Sequence, residues 1–401
     1  MNANHFIINV DLVAVPINPD EEKLRYYFQE YYSSCKLSTP DLLSSREIGY
    51  IPFGAPMVRH RSLRNLEELR QFVNRIVPRH FYYSTAYYRN PENKKMSDKG
   101  WLGAELIFDL DADHIKGAEK MRYDEILSEV KKHTERLIFD HLMDSLGFAR
   151  SEIRLYFSGG RGYHVHIYSD KVYSMDSDSR REIANFIRGE GLDQKNFIWE
   201  MRKSRFLSGG WLSLIDSEFV KFHHDIDAGD SEAMEFALSV LGNRNTLRAY
   251  VESLKSGVKI GKRTEKRRNV LTVPGPEKYK IMDQRDLRIL GSIIPRVVER
   301  YSSEIDEPVT TDIHRLIRFP YSLHGKTGLA VVPVQLDELE DFEPLRDAIP
   351  HTFVGRLQDI KLRVPLKMKF MDSDLSLDPG NHRVDLPLAI FAVSQRMASF
   401  Y

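Results

Sequence analysis

Two segments in the first eighty residues place their apolar side chains at helical spacing. In the first, apolar residues recur every three or four positions over 24–31, after an Asp20 cap. In the second, which begins near Ser62, the same spacing continues as far as Pro78, a residue type that ends helices. The pattern predicts two amphipathic helices, followed by an aromatic β-strand over 80–88.

The next segment alternates between strand and helix patterns. Residues 104–111 form an apolar run typical of a strand, and a long amphipathic helix that ends at Gly147 follows them. Residues 152–158 and 163–169 are β-prone, and a glycine-rich turn separates them. This order predicts an α/β (α+β) fold, in which helices pack on a sheet.

A change of pattern near residue 175 divides the chain. Residues 175–300 are mostly polar with helical spacing, whereas short strands and turns return from residue 304. We therefore expect a core that is discontinuous in sequence, formed by 1–174 and 301–401, with a mainly helical inserted subdomain over 175–300.

The composition is that of an ordinary globular protein. With 401 residues, of which 42% are hydrophobic and 29% charged, the chain can form one large domain or two joined ones. It has no apolar run long enough to span a bilayer and no N-terminal signal-peptide pattern. The one cysteine, Cys35, excludes an internal disulfide and a cysteine-rich zinc site. We expect a cytoplasmic protein without a membrane partner.

The net charge is zero, but the charges are unevenly distributed. Residues 244–268 contain nine Lys and Arg against two Glu, a local excess of seven positive charges. Such an excess attracts phosphates by counterion release, but it is equally typical of a solvated helix and loop surface. Both interpretations stay open from the sequence.

An acidic pair ends the apolar run at 104–111. Side chains alternate along a strand, so Asp109 and Asp111 share one face while Leu110 points to the core. Two adjacent carboxylates favour a Mg²⁺ or Mn²⁺ site, although acidic strand ends without a metal are common. A calcium loop is excluded, because its sixth and twelfth positions would be His114 and Lys120.

The turn "SGGRGYHVH" (158–166) has the residues of a phosphate-binding loop. Its glycines let backbone N–H groups approach an anion, and Arg161 can bind two phosphate oxygens. It is neither a Walker loop nor a dinucleotide fingerprint. We expect His164 to face a phosphate and His166 to be structural, with a simple glycine-rich hairpin as the alternative.

Residues 304–329 combine cations, histidines and glycines. The spacing of Ile313, Leu316 and Ile317 predicts the apolar side of a short helix that ends at Pro320 and leaves Arg315 and Arg318 off that face. His324 and Lys326 follow beside two glycines. "GKT" is not part of a Walker loop, because Pro320 occupies the position of the first glycine.

Three of these stretches together resemble the small catalytic subunit of the archaeal and eukaryotic DNA primases. They are "FDLDAD" (108–113), "SGGRGYHVH" (158–166) and "IDEPVTTDIHRLIRFPYSLHGKTG" (305–328). Shorter pieces agree with the family: "RE" at 46–47, "VRHRS" at 58–62 and "PRHFYYSTAYY" at 78–88. The sequence "PVTTDIHRLIR" is similar to that of the archaeal members of the family.

The resemblance implies a primase-type catalytic core, a mixed sheet flanked by helices, whose site residues are far apart in the chain. The implied catalytic residues, which would bind Mg²⁺ or Mn²⁺, are Asp109, Asp111 and Asp306. The residues implied to hold the triphosphate are Ser158, Arg161, His164, Arg318 and His324, with Arg59 and Lys326 as further candidates. The implied reaction is de novo synthesis of short primers on single-stranded DNA by two-metal nucleotidyl transfer, from ribonucleoside triphosphates, with deoxyribonucleoside triphosphates as alternative substrates.

One feature of the family is missing from this sequence. The family usually carries a Cys/His zinc knuckle soon after the paired aspartates, but residues 112–150 contain no cysteine. The zinc site is therefore expected to be absent or rebuilt without thiols; His114, His133 and His141 could be recruited for it, but we expect them to be exposed helical residues. The resemblance further implies a heterodimer with the primase large subunit, on which an iron–sulfur cluster would lie, since one cysteine cannot hold a cluster.

Rival sites and functions stay open. "HHDIDAGD" (223–230) could form a hydrolase metal site, but we expect a polar turn there, because only Asp306 is accompanied by phosphate-binding residues. The rival functions are a repair or mobile-element primase-polymerase of the same superfamily, a metal-dependent phosphohydrolase, and a catalytically silent DNA-binding subunit.

Overall fold

The structure is a computed structural model that describes residues 18–115, 117–203 and 209–401. The α-helices of this part are α1 (Pro19–Ser34), α2 (Leu66–Ile76), α3 (Tyr123–Glu135), α4 (Asp170–Tyr173), α5 (Ser177–Arg188), α6 (Gln194–Lys203), α7 (Gly210–Ala228), α8 (Ser231–Leu241), α9 (Arg244–Ser253), α10 (Arg267–Leu271), α11 (Lys278–Ile281), α12 (Gln284–Tyr301), α13 (Glu307–Thr311), α14 (Pro344–Asp347) and α15 (Leu386–Ser394). The strands are β1 (Ile48–Ile51), β2 (Val58–Arg61), β3 (His80–Ser84), β4 (Ala86–Tyr88), β5 (Trp101–Ala104), β6 (Leu106–Asp111), β7 (Ile153–Phe157), β8 (Gly162–Ile167), β9 (Gly257–Ile260), β10 (Arg263–Lys266), β11 (Leu316–Arg318), β12 (Val332–Val334), β13 (Leu357–Leu362), β14 (Leu366–Phe370), β15 (Ser373–Leu377), β16 (Gly380–Asp385) and β17 (Ala398–Phe400).

The described residues group into two compact units. Unit 1 contains the described residues of 1–132 together with 151–181 and 305–401, and unit 2 contains those of 133–150 and 182–304. Unit 1 is a mixture of sheets and helices, whereas unit 2 is built from helices and the single hairpin β9–β10 as far as it is described. The α/β class predicted from the sequence is confirmed.

The sheet that carries the acidic pair has the strand order β12-β7-β8-β6. Strand β6 is buried on both faces, since the neighbouring residues Ile107 and Phe108 are both fully buried, and it lies at one end of this order. Its pairing with β8 places Asp109 opposite His164 and Asp111 opposite Gly162. All strand pairs of the described residues are antiparallel, which corrects the mixed sheet that the resemblance implies.

A second sheet, with the order β11-β3-β1-β2, corrects the expected helix around residues 313–317. The helix in this region, α13, ends at Thr311, and Leu316–Arg318 form β11 instead. This strand pairs antiparallel with β3, so that Arg318 lies opposite Tyr82. The pairing satisfies the backbone of the segment and buries Ile317 and Phe319, which outweighs a helical spacing of only three apolar residues.

The first two predicted helices are present, with different caps. The cap of α1 is Asn18, whose side chain accepts from the Glu21 N–H at 2.9 Å, and Asp20 lies in the first turn. The second helix begins at Leu66 rather than near Ser62, because Asn65 provides the cap. Asparagine side chains are good N-terminal caps, so both shifts follow from local chemistry.

The expectation that the histidines after the acidic pair are exposed is wrong for His141. Residues Arg136–Ser145 form wider π-helical turns directly after α3, and there His141 is buried and its Nε2–H donates to the Tyr301 carbonyl at 2.8 Å. His133 is half-buried, and its Nδ1 accepts from the Glu304 N–H at 3.2 Å. Both side chains thus have structural partners within unit 2.

Unit 2 also explains the acidic segment 223–230, which is not a polar turn. Residues 223–228 belong to the C-terminal end of α7. Asp230 caps α8, and its side chain accepts from the Ala233 N–H at 2.9 Å. His223 is buried and contacts the Tyr250 hydroxyl at 2.7 Å.

Throughout 18–115, 117–203 and 209–401, no helix has the length and apolar character to cross a membrane.

Candidate active site

The acidic pair lies at the end of β6, where the strand leaves the core of unit 1. Leu110 is fully buried, whereas the side chains of Asp109 and Asp111 are 22% and 40% exposed. The alternation therefore follows the sequence prediction, with both carboxylates on the face opposite to Leu110. Asp113 comes after the strand, is exposed and forms an ion pair with Arg161.

Asp306 lies next to this pair although it is nearly two hundred residues away in sequence. Its backbone N–H donates to the Asp109 carbonyl oxygen at 2.9 Å, and it occupies the position before α13. Burial and, to a smaller extent, the carboxylates of Asp111 and Asp306 together raise the pKa of Asp109 to about 7. The positive charges of Arg315 and Arg318 lower the pKa of Asp109, but by less than burial and the carboxylates raise it.

The carboxylates fit a divalent cation by their donor chemistry. They are oxygen ligands of the kind that Mg²⁺ and Mn²⁺ prefer, and the raised pKa of Asp109 means that Arg315 and Arg318 compensate its negative charge only in part. The Oδ1 atom of Asp111 is buried without a hydrogen-bond partner among the described residues, and the Arg161 guanidinium lies 3.6 Å from it. As the described side chains stand, no group of three His, Cys, Asp or Glu could hold one metal ion.

The turn after β7 brings backbone N–H groups to the same place. The Gly160 N–H donates to Ser158 Oγ at 3.2 Å, and Gly159 has a φ of +75°, which favours glycine. Gly162 approaches β6 so closely that a Cβ there would lie 1.9 Å from the Leu110 carbonyl oxygen. The glycines therefore let the turn lie directly against the acidic strand end.

His164 follows from this turn into β8 and faces Asp109. Its Nε2 lies 3.6 Å from Asp109 Oδ1, and its buried Nδ1 has no hydrogen-bond partner in the described part of the chain. Burial holds the pKa of His164 well below its usual range, so the ring is neutral at physiological pH. His166, two residues on, is buried and bonds Glu105 at 2.8 Å, a carboxylate that is also paired with Arg46.

His324 and Arg318 complete the site from the C-terminal part of the chain. The backbone N–H of Lys326 donates to His324 Nδ1 at 3.3 Å, so the neutral ring carries its proton on Nε2. Burial keeps the pKa of His324 well below its usual range. Arg318 lies over the Tyr82 ring at 5.3 Å, and its Nη1 donates to His80 Nδ1 at 2.9 Å.

A cleft of about 440 Å³ joins most of these residues. Its lining includes Asp109, Asp111, Asp113, Tyr123, Ser158, Gly160, Arg161, His164, Arg318, His324, Lys326 and Thr327. Two of the sequence candidates do not line it. Asp306 contacts the Asp109 backbone instead, and the Arg59 guanidinium is paired with the buried Glu47 at 2.9 Å.

Three residues near the site were missed from the sequence. His80 is buried and accepts from Arg318, and burial together with the cations around it lowers its pKa to about 3. Tyr123 donates to the Gly160 carbonyl at 2.8 Å, and Thr327 donates to the Gly159 carbonyl. No local pattern marks them, because each contact joins segments that only the fold brings together.

An α/β unit that places paired carboxylates beside guanidinium and imidazole groups in such a cleft has the features of a nucleotide-transferring enzyme. The family model of the DNA primase small subunit matches residues 108–336, more than half of the chain. The DNA primase small subunit PriS of Picrophilus torridus is 45% identical over 379 residues, which cover 94% of this chain and 98% of the relative. That of Thermoplasma volcanium is 36% identical over 381 residues, with 95% and 98% covered.

The chain therefore belongs to the DNA primase small subunit family. It is the catalytic subunit of a DNA primase, a nucleotidyltransferase of DNA replication. Among solved structures it is similar to the polymerase domain of Mycobacterium tuberculosis ligase D in complex with DNA, with a TM-score of 0.33, 9% identity, and coverage of 80% of this chain and 83% of that one.

Proposed function

We propose that the cleft of unit 1 binds a nucleoside triphosphate and that Asp109, Asp111 and Asp306 bind two Mg²⁺ or Mn²⁺ ions beside it. The observation that carries this proposal is the proximity of the three acidic residues: the Asp306 N–H donates to the Asp109 carbonyl at 2.9 Å, and burial together with the Asp111 and Asp306 carboxylates raises the pKa of Asp109 to about 7. Such repulsion is costly to the fold and is relieved when a cation binds between the carboxylates. Bound divalent ions would activate the attacking 3′-hydroxyl and neutralise the negative charge of the leaving pyrophosphate.

The chain's own residues would orient the triphosphate. Arg161 and Arg318 line the cleft and offer planar guanidinium groups that match phosphate oxygens. His324 points its Nε2–H toward Gly160 in the cleft, and His164 is the neutral ring beside Asp109. These groups stabilise the negative charge that develops on the β and γ phosphates during transfer.

The two further candidates differ in what supports them. Lys326 is exposed and lines the cleft, so its ammonium group can reach a phosphate. Arg59 is held by Glu47, whose pKa lies below its usual range because the hydrogen bonds from Arg59 and the His60 N–H and the charges of Arg59 and Lys99 together outweigh burial. We therefore keep Arg59 only as a residue that could bind nucleotide after leaving Glu47.

The relatives are named small subunits, and this name implies a large subunit as the partner of the chain. A small subunit pairs with a large subunit, which we propose to carry the iron–sulfur cluster, and single-stranded DNA is the template. In this proposal, unit 1 corresponds to the catalytic core and unit 2 to the inserted subdomain, and the chain acts in the cytoplasm, where the chromosome lies. No structural zinc is included, since the segment after the acidic pair has no cysteine.

A primer-synthesis assay tests this function. The purified full-length chain is incubated with single-stranded template, Mn²⁺ and labelled ribonucleoside triphosphates, with and without the large subunit. We expect new chains that start without a primer, with one pyrophosphate released for each nucleotide added. Extension of added primers without initiation would favour a primase-polymerase of the repair type, and release of phosphate without chain growth would favour a phosphohydrolase.

A further inference from the structure

The structure separates the basic residues of 244–268 into paired and unpaired groups. Arg267 is buried against Asp286 and Asp283, so it belongs to the core of unit 2. Arg268 pairs with Asp227 at 3.1 Å, and Lys255 pairs with Glu252 at 3.1 Å. These three cations cannot account for an anion-binding surface, since each already has a carboxylate partner.

Of the other six cations of this stretch, Arg244 and Arg248 lie on α9 and four lie on the hairpin β9–β10: Lys259, Lys262, Arg263 and Lys266. Its strands pair in a regular antiparallel register, with Lys259 opposite Thr264 and Lys266 opposite Gly257. The hairpin is fixed at its base, where the Arg267 N–H donates to the Ser256 carbonyl at 2.8 Å. It is thus an ordered projection rather than a loose loop.

The two faces of this hairpin differ in charge. Alternation along the strands puts Val258 and Ile260, both half-buried, on one face, together with Arg263 and Glu265, whose opposite charges leave this face without net charge. The opposite face carries Lys259, Thr264 and Lys266, all exposed, and Lys262 lies in the connecting turn. No ion pair involves these three lysines within the described residues.

We infer that this lysine face, formed by Lys259, Lys262 and Lys266, binds the phosphate backbone of the single-stranded template. Three unpaired ammonium groups without a nearby carboxylate on their own face match a polyanion, and Thr264 between them can donate a further hydrogen bond to a phosphate. The face has no exposed aromatic side chain on which bases could stack, so we expect binding that does not depend on sequence. The inference deepens the proposed function, because it takes single-stranded DNA as the template.

The test is the salt dependence of DNA binding by the full-length chain. Anisotropy of a labelled single-stranded oligonucleotide is measured at several salt concentrations, in EDTA and without nucleotide, so that binding is independent of catalysis. Each phosphate contact contributes about 0.7 to the slope of log K against log salt for single strands, so the variant K259Q/K262Q/K266Q should lower the slope by about 2. Its affinity should also fall severalfold at low salt.

A matched control removes three charges elsewhere. Lys132, Lys221 and Lys280 each pair with an acid three or four residues away, so K132Q/K221Q/K280Q loses the same charge from surfaces that are already neutralised. For this control, we expect the slope to fall by less than half as much as it does for K259Q/K262Q/K266Q. Equal slopes for the wild type and K259Q/K262Q/K266Q, or equal losses in both triple variants, would overturn the inference. Primer synthesis is scored separately, so a failure of the lysine face and a failure of the catalytic proposal give different results.

Discussion

Asp109 and His164 lie directly opposite each other in the pairing of β6 and β8, with Asp109 Oδ1 3.6 Å from His164 Nε2. The pKa of the half-buried carboxylate is raised and that of the buried imidazole is lowered, so the surroundings disfavour the charged form of both groups. Such a pair is poorly stabilised by the chain alone. We interpret it as a site prepared for charged ligands, a cation at the aspartate and a phosphate near the histidine.

The stability of the protein should depend on the charge of Asp109. Because its folded pKa is about 7 against an ordinary 3.8, its contribution to stability is full below about pH 4 and is lost as the pH rises through 7. We expect Asp109→Asn to raise the free energy of unfolding by about 1–3 kcal/mol at pH 8 in EDTA, and by less at pH 5. Urea unfolding at both pH values measures this.

The control for this prediction is Asp374→Asn, which removes the same charge from an exposed position on β15. It should change the stability little at either pH. Added Mn²⁺ should stabilise the wild type at pH 8 more than Asp109→Asn. A variant that is less stable than the wild type at pH 8 would show that the carboxylate is not under electrostatic strain.

Asp306 should be required for chemistry. We expect Asp306→Asn to reduce primer synthesis by about a hundredfold or more, because a neutral amide binds a divalent cation weakly. Asp227→Asn is the matched control, since Asp227 belongs to the acidic segment of α7 and pairs with Arg268. If the two variants lose activity equally, the catalytic carboxylate has been assigned to the wrong segment.

His324 should act through its Nε2–H. A glutamine side chain can present an N–H near that position, whereas alanine cannot, so His324→Gln should keep more activity than His324→Ala. For His324→Ala we expect roughly a tenfold loss in kcat/KM for the nucleotide, the value of one hydrogen bond to a charged group. Steady-state kinetics at saturating template measure it, and identical constants for wild type and both variants would remove His324 from the site.

His80 should act as a positioning residue for Arg318. Its Nδ1 accepts from the Arg318 guanidinium and, at 3.4 Å, from the Gly325 N–H. Asparagine can place an oxygen acceptor near that nitrogen, so His80→Asn should retain a nucleotide KM closer to the wild type than His80→Phe. We expect a KM about tenfold higher for His80→Phe, with a smaller change in kcat. A uniform loss of folded protein in both variants, with normal KM in the remainder, would indicate a purely structural role.

Sequence patterns predicted those parts of the site whose residues lie close together in the chain. The alternation around Asp109 and the glycine turn before His164 each lie within one or two strands, so side-chain direction could be predicted from spacing. The helix expected at 313–317 was wrong because β11 pairs with β3, more than two hundred residues earlier. The role of His80 depends on that same pairing.

Other features also depended on long-range contacts. His141 is buried because Tyr301 offers it a carbonyl acceptor from the end of α12, a partner that helical spacing cannot reveal. Asp306 was selected through the family resemblance, since no spacing rule connects it to Asp109. The structure supplies that connection through a backbone hydrogen bond.

In the proposed function, Asp109, Asp111 and Asp306 together bind the catalytic ions. Its most direct measurement is the number of Mn²⁺ ions bound by the full-length chain with a nucleoside triphosphate, followed by electron paramagnetic resonance of free Mn²⁺. We predict two ions for the wild type and for Asp227→Asn, and at least about tenfold weaker binding of one or both in folded Asp306→Asn. Wild-type stoichiometry and affinity in Asp306→Asn would contradict the claim.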